Sequence, residues 1–220
     1  MIKAILFDVD GVLVDSKETV FKFRKKLFKK AGHQDIDEEH LVNGFHLPLK
    51  AVVDNALRSK GVKDQKEIER VYNLSFDPAI REGQDFKFPK RLEAILEELH
   101  REFKLGIITS RIRFGLDEIF KIRPIEKYFD VVISLDDVKN HKPHPEPLQK
   151  ALDRLGLKAE ESVYIGDSDT DIIAAHAIGM PSIHLGEIRH ELAHHQIKSF
   201  PEIPNAIKLI LDNHAKNNPL

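Results

Sequence analysis

Short apolar runs alternate with segments of helical period along most of this chain. Residues 2–7 form an unbroken apolar run apart from Lys3, which reads as a strand buried on both faces, as in the middle of a parallel sheet. Similar runs predict strands over 104–111, 129–134, 162–166 and 181–185. Between them, apolar residues recur at helical spacing over 89–102, 113–121, 145–156 and 170–178, and again over 204–214. The segment 145–156 carries prolines in its first turn, Leu148, Leu152 and Leu155 on one face, and Gly156 as its stop. Strands alternating with helices predict a parallel α/β sheet of five main strands with helices on both faces.

The alternation is interrupted once. No strand pattern is evident from Gly11 to about Lys104, whereas a parallel crossover needs only a dozen or more residues. The excess marks an inserted helical domain. Residues 16–31 read as a helix, with Asp15 and Glu18 spaced as a capping box, Val20, Phe23, Leu27, Phe28 and Ala31 on one stripe, and Gly32 as the stop. Its other face is basic (Lys22, Arg24, Lys25, Lys26, Lys29, Lys30) and reads as solvated, the alternative being a field that draws anionic substrates. Residues 37–60 continue as helices broken near Gly44 and Pro48, 64–76 give another, and Pro78, Gly83 and Pro89 punctuate a loop-like stretch. The expected division is a core of 1–15 and 85–220 and a helical domain of 16–84.

Composition narrows the function classes. The net charge of −2 gives no bulk field to draw nucleic acid or a membrane surface, and the absence of cysteine removes disulfides and thiol catalysis. There is no long apolar run, and residues 1–7 read as a strand rather than a signal peptide. The expectation is a cytoplasmic protein, monomer or homodimer, acting on a small molecule.

The polar residues that stand out each follow a predicted strand. Asp8 and Asp10 end the first, pointing to the same side at period two, with Gly11 behind them to turn the chain. Thr109 and Ser110 end the second, Lys142 lies in the loop after the third, and Asp167 and Asp171 follow the fourth. In a parallel sheet these ends share one edge, where open α/β sheets bind ligands. Taken singly, each has a plainer reading: Asp8 and Asp10 as turn formers, Thr109 as a strand cap, Lys142 as a surface lysine, Asp167 and Asp171 as helix-start acids. Taken together, the acids repel: two like charges ~4 Å apart cost ~4 kcal/mol at an effective dielectric near 20. The cluster requires a cation, and an all-oxygen site that also accepts phosphate suits Mg²⁺.

The stretches FDVDGVLVDS, ITSR, KPHPEPL and GDSDTDIIAAHAIGMP, in that order, resemble the four motifs of the haloacid dehalogenase-like superfamily, within its phosphatases and near the phosphoglycolate phosphatase and β-phosphoglucomutase group. The resemblance covers nearly the whole chain and is weakest over 60–90 and after 186. It implies a Rossmann-like core and a small all-helical cap, inserted after the first strand, that closes over the phosphate and selects the substrate. It also implies two-step phosphoryl transfer on a small phosphorylated metabolite: Asp8 as nucleophile, Asp10 as general acid and then base, and Mg²⁺ held by Asp8, Asp167 and the Asp10 backbone carbonyl. Asp171 would orient that shell or Lys142, and Thr109 and Ser110 would bind the phosphoryl group. In the cap, the 43–50 turn resembles the substrate-facing loop, with Phe45, His46 and Lys50 as candidates, or with Phe45 merely packing in the cap core. Leu47 stands where the mutases carry an arginine, which favours hydrolysis.

Other readings remain open on the sequence. A phosphomutase or a pyrophosphatase would use the same residues. A phospho-accepting signalling module also gathers acids, a Thr/Ser and a Lys, but is shorter and has no large insertion. His190-Glu-Leu-Ala-His194 matches the H-E-x-x-H zinc pattern, with Glu202 or His214 on offer as a third ligand. No protease-sized domain remains to house it, and the resemblance implies a surface helix there.

Overall fold

The first apolar run becomes the centre of the sheet. In a computed structural model, which describes residues 1–45 and 47–217, β1 (Ala4–Phe7) is fully buried. The chain then forms α1 (Lys17–Ala31), α2 (Glu38–Asn43), α3 (Leu49–Ser59), α4 (Gln65–Leu74) and α5 (Pro78–Arg81) before any further strand. It returns through α6 (Leu92–His100), β2 (Lys104–Ile108), α7 (Arg113–Ile122), β3 (Val131–Ile133) and α8 (Glu146–Leu155). It continues through β4 (Ser162–Gly166), α9 (Asp169–His176), β5 (Ser182–Leu185), β6 (His195–Ile197) and α10 (Ile203–Asn217). Contacts divide it into two units, Met1–Asp15 with Phe88–Leu220, and Ser16–Lys87.

In the first unit the strand order is β3-β2-β1-β4-β5-β6, every pair parallel. Order reverses at β1, which makes its carboxyl end a topological switch point. Phe7 lies opposite Ile107 and Ile165, so Asp8, one step on, stands level with the ends of β2 and β4. Below that edge Leu6, Ile108, Ile133, Leu148, Leu152, Tyr164 and Met180 form one buried cluster. The described residues hold six strands, one more than the five expected. The sixth, His195–Ile197, is three residues long with a single apolar side chain, too short and too polar to show a strand period. The segment before it, 186–194, is loop, where the resemblance implied a surface helix. No described helix is long and apolar enough to cross a membrane.

The second unit packs α1 to α5 around Leu27, Phe28, Leu41, Val53, Leu57, Ile68, Val71 and Ile80. Three sequence readings change here. Ser16, not Asp15, caps α1, without a side-chain cap bond, and Glu18 bonds Lys22 and Lys87 instead. Pro78–Arg81 is a short helix started by Pro78 and capped by Asp77 rather than loop. Arg24 is not on the solvated face: it is 3% exposed and donates to the carbonyls of Leu41 and Gly44. Its position, four after Val20 and four before Phe28, lies on the apolar stripe. The rest of the basic face is largely paired within the unit, Lys22 with Glu18, Lys25 with Glu38 and Lys30 with Asp77. That supports the solvated reading over the field that draws substrate.

Candidate active site

The site starts where β1 stops. The Asp8 N–H donates to the Ile165 carbonyl at 2.9 Å, the last rung of the sheet. The chain then winds one tight turn on the Val9 carbonyl, which accepts from Leu13 and Val14 at 2.9 Å. Gly11 sits in that turn at φ +82°, a conformation that costs an L side chain roughly 1 kcal/mol or more. A Cβ there would stand 1.9 Å from Asp167 Oδ2. The missing side chain is therefore the space that the Asp167 carboxylate fills. On a metal-site reading of Asp167, Gly11→Ala is expected to keep a cooperative fold while losing tenfold or more in turnover and in divalent-ion affinity, the scale on which disturbed groups around a metal site act (about 10- to 100-fold). An alanine variant that binds ion and turns over like wild type would show that Asp167 has room to spare.

Lys142 is the cation at the centre. It is 5% exposed, and its Nζ lies 2.9 Å from Asp8 Oδ1, 2.6 Å from Asp171 Oδ1, 2.9 Å from the Tyr164 hydroxyl and 3.3 Å from the Ile108 carbonyl. An ammonium has three N–H donors, and here four oxygens compete for them. Burial alone would lower the lysine's pKa, but Asp171 and Asp8 outweigh it and hold the pKa above the usual lysine value. Tyr164, fully buried in the middle of β4, donates to Asp171 Oδ1 at 2.8 Å while accepting from Lys142. Burial pushes its hydroxyl up, so it remains a donor.

Asp171 divides its oxygens between two tasks. Oδ2 accepts from the Ser168 backbone N–H at 3.2 Å and from its hydroxyl at 2.5 Å, closing a capping box at the start of α9. Oδ1 faces Lys142 and Tyr164. The plain reading as a helix-start acid accounts for Oδ2, and the contact with Lys142 is made by Oδ1. Burial works against its charge, Lys142 more than compensates, and its pKa lies below the usual carboxylate range. Asp8 goes the other way. Burial pushes it well above that range, Lys142 pulls it back, and Asp171, Asp167 and Asp10 push it up again.

One oxygen each of Asp8, Asp167 and Asp171 lies within 4.8 Å of the others, the one such group among the described residues. Three carboxylates and no nitrogen or sulfur make a hard, all-oxygen donor set, which fits a divalent cation of the Mg²⁺ kind. With both Asp171 oxygens engaged as above, Asp8 and Asp167 are the better placed to touch such an ion. Asp10 is brought to the edge but not into this group. Its carboxylate is gripped by Arg111, Nε to Oδ2 at 2.6 Å and Nη2 to Oδ1 at 2.5 Å. Burial works against the guanidinium's charge, and Asp10 restores it. Thr109 is buried beside them, its hydroxyl accepting from the Arg111 N–H at 3.1 Å, and Ser110 lies between the two.

The remaining sequence candidates stand elsewhere. In the second unit the half-buried Phe45 has Lys17 Nζ 5.8 Å from its ring centre, and the exposed Lys50 lies over Tyr72 at 5.9 Å. His46 lies outside the described residues. The H-E-x-x-H stretch is not helical, so the geometry that would put His190 and His194 on one face is missing. His190 Nδ1 accepts from Leu192 and His194 Nδ1 from Ser182. Glu202 accepts from Ser199, and the His214 side chain lies outside the description. Asp169, in the same turn as Asp167, is exposed and takes no part in the cluster.

Known proteins match this chain in sequence and fold. Residues 5–185 match the family model described as haloacid dehalogenase-like hydrolase. A pyrophosphatase PpaX of Bacillus pumilus is 33% identical over 185 residues, covering 81% of this chain and 80% of its own. A phosphoglycolate phosphatase of Photorhabdus laumondii is 29% identical over 188 residues, 84% and 80% of the two chains. The crystal structure of a β-phosphoglucomutase from Clostridium difficile superposes with a TM-score of 0.81 at 21% identity, over 99% of this chain and 100% of that one, a likeness of fold. The switch-point acids, the buried lysine and the match over most of the sequence converge: this chain belongs to the haloacid dehalogenase-like hydrolases and is one of their phosphatases.

Proposed function

We propose that the protein is a Mg²⁺-dependent phosphatase that hydrolyses a small phosphorylated metabolite, of the phosphoglycolate kind, through an aspartyl-phosphate on Asp8. The observation that carries this reading is the buried cluster of Asp8, Asp167 and Asp171 around Lys142 at the switch point of the sheet. Bound there, Mg²⁺ would offset the negative charge shared by the carboxylates and the phosphoryl oxygens. Asp8 and Asp167 would hold it, with the Asp10 backbone carbonyl.

In the first half-reaction an Asp8 oxygen attacks phosphorus in line as the bond to the leaving oxygen breaks. Asp10 supplies the proton that the leaving oxygen takes. In the second, a water attacks the phosphorus of the aspartyl-phosphate, Asp10 receives its proton, and Asp8 is released with inorganic phosphate. Lys142 holds Asp8 in line, Asp171 and Tyr164 hold Lys142, and Thr109 with the Ser110 N–H binds the phosphoryl oxygens. Phe45, His46 and Lys50 are assigned a part in substrate choice on the resemblance of their loop. The reading places the protein in the cytoplasm, where phosphorylated metabolites are handled.

The test is phosphate release from a panel of phosphorylated metabolites, inorganic pyrophosphate included. Release that EDTA abolishes and Mg²⁺ restores is the expected result. A pyrophosphatase reading has its own support in relatives 30–33% identical that bear that name, and preferential cleavage of pyrophosphate would establish it. Isomer formation from a hexose phosphate would instead mark a mutase. Stable phosphorylation of Asp8 without turnover would replace the enzyme with a signalling module.

A further inference from the structure

Asp10 and Arg111 pose a problem that the proposed reaction must solve. Asp10 has to present an oxygen to the leaving group, yet both of its oxygens are bonded by Arg111 at 2.5 and 2.6 Å. The two side chains are 20% and 17% exposed, a planar fork-to-fork pair largely shielded from water. Pairs of that geometry are strong and specific. Releasing Asp10 with nothing in its place would deprive the guanidinium of its two-point carboxylate pair in a poorly solvated position, which is costly. An incoming anion removes that cost, because the guanidinium exchanges one carboxylate-like partner for another.

The position of Arg111 says which anion. Asp10 is the group assigned to the leaving oxygen, and Arg111 is in contact with its carboxylate, so the guanidinium is on the leaving-group side. The transferring phosphoryl group already has its own partners in Thr109, the Ser110 N–H and the cation held by Asp8 and Asp167. Arg111 is also fixed at its base, its N–H bonded to Thr109 Oγ1 at 3.1 Å and its carbonyl accepting from Leu135 at 2.8 Å, so the side chain can change partner without the backbone moving.

We infer that Arg111 is a specificity-determining residue: it holds Asp10 when no substrate is bound, and releases it by taking a second anionic group carried by the leaving half of the substrate. The inference rests on the phosphatase reading above. It makes the second anion a requirement for fast turnover, since a substrate lacking it cannot displace Asp10 from the fork. Arg111→Lys keeps the charge but loses the two-point grip, so it retains less of the discrimination than wild type.

The experiment compares 2-phosphoglycolate, whose leaving group bears a carboxylate, with ethyl phosphate, whose leaving group bears none. Wild type, Arg111→Gln and Arg111→Lys are measured in Mg²⁺, with thermal melts to establish that each is folded. Wild type is expected to favour 2-phosphoglycolate in kcat/KM, and Arg111→Gln to lose about 10- to 100-fold of that preference, the worth of a hydrogen bond to a charged group. Arg111→Lys falls between them. A preference unchanged in the folded Gln variant, with both substrates slowed equally, would overturn the inference and leave the phosphatase reading standing. Failure of wild type to release phosphate from either ester, or from the wider panel, would remove both. Should the Gln variant not fold, wild type alone decides: acetate added to ethyl phosphate is expected to speed turnover by occupying the fork, and no acceleration up to inhibitory acetate concentrations overturns the exchange.

Discussion

Asp8→Asn is expected to abolish turnover and, at the same time, to raise the melting temperature of the metal-free protein. The first effect follows from the proposed chemistry. An amide cannot accept the phosphoryl group as a carboxylate does, and loss of a covalent nucleophile costs about 10⁴-fold or more in kcat. The second follows from the environment. Burial, and then the neighbouring Asp171, Asp167 and Asp10, raise the Asp8 pKa above its usual range despite Lys142. The folded state therefore binds a proton at Asp8 more tightly than the unfolded state does. As pH rises from the ordinary carboxylate value to the raised one, that difference removes stability from wild type, and above it the loss is complete. Asparagine does not titrate, so the variant escapes the loss. Its advantage in EDTA should grow as pH rises above the ordinary carboxylate value and fade towards pH 4, at about 2–4 °C for each kcal/mol in a chain of this size. Lys142 retains Asp171 at 2.6 Å and can still donate to the amide oxygen. Mg²⁺-dependent activity in the purified variant would remove Asp8 as the nucleophile, and a melting temperature below wild type in EDTA at neutral pH would remove it as a strained acid.

The candidate site was legible because polar side chains stand out at the ends of apolar runs. Asp8 and Asp10 end a run that is apolar but for Lys3, and turn formation alone accounts poorly for two acids on one side of its tip. The register then does the rest, since parallel strands bring Thr109, Lys142 and Asp167 to the same edge as Asp8. What stayed hidden was the polar function of residues that look like packing, or of charges that look like surface. Tyr164 reads as one more large side chain in SVYIG, because hydropathy does not register a hydroxyl placed between Lys142 and Asp171. Arg111 stands in ITSR, and a charge after a strand end is usually solvated; only the fold puts it on Asp10. Arg24 was concealed by the lysines around it, although its place on the apolar stripe was a usable signal. The loop of 186–194 and the strand after it had no period at all, so the helix inferred from resemblance had nothing local to contradict it.

Lys142→Met should give the opposite stability result to Asp8→Asn, and the two together identify what the lysine does. Removing the ammonium leaves Asp8 and Asp171 buried with their shared cation gone, and loss of one partner of a buried ion pair typically costs 3–5 kcal/mol. The expected fall in melting temperature is about 10 °C. Turnover should drop by about 10²- to 10³-fold, the usual effect of removing one fixed electrostatic group from a reacting centre. The Asp171 contribution to the pH dependence should also change sign. In wild type the lowered Asp171 pKa contributes stability that is present above the ordinary carboxylate value and is lost as pH falls through the folded value. In the variant Asp171 loses Lys142 and its pKa rises, so acidification from above the ordinary value gains stability from Asp171 as it already does from Asp8 in wild type. Mg²⁺ should recover part of the lost stability, because it binds the folded state alone and supplies the missing positive charge. The double variant Asp8→Asn with Lys142→Met should then be more stable than Lys142→Met by more than Asp8→Asn gains in wild type, a non-additivity expected of groups in direct contact. Additive effects in that cycle, measured by thermal melts in EDTA, would mean that the 2.9 Å contact between Lys142 and Asp8 contributes nothing to the metal-free fold, and that the lysine answers to Asp171 alone.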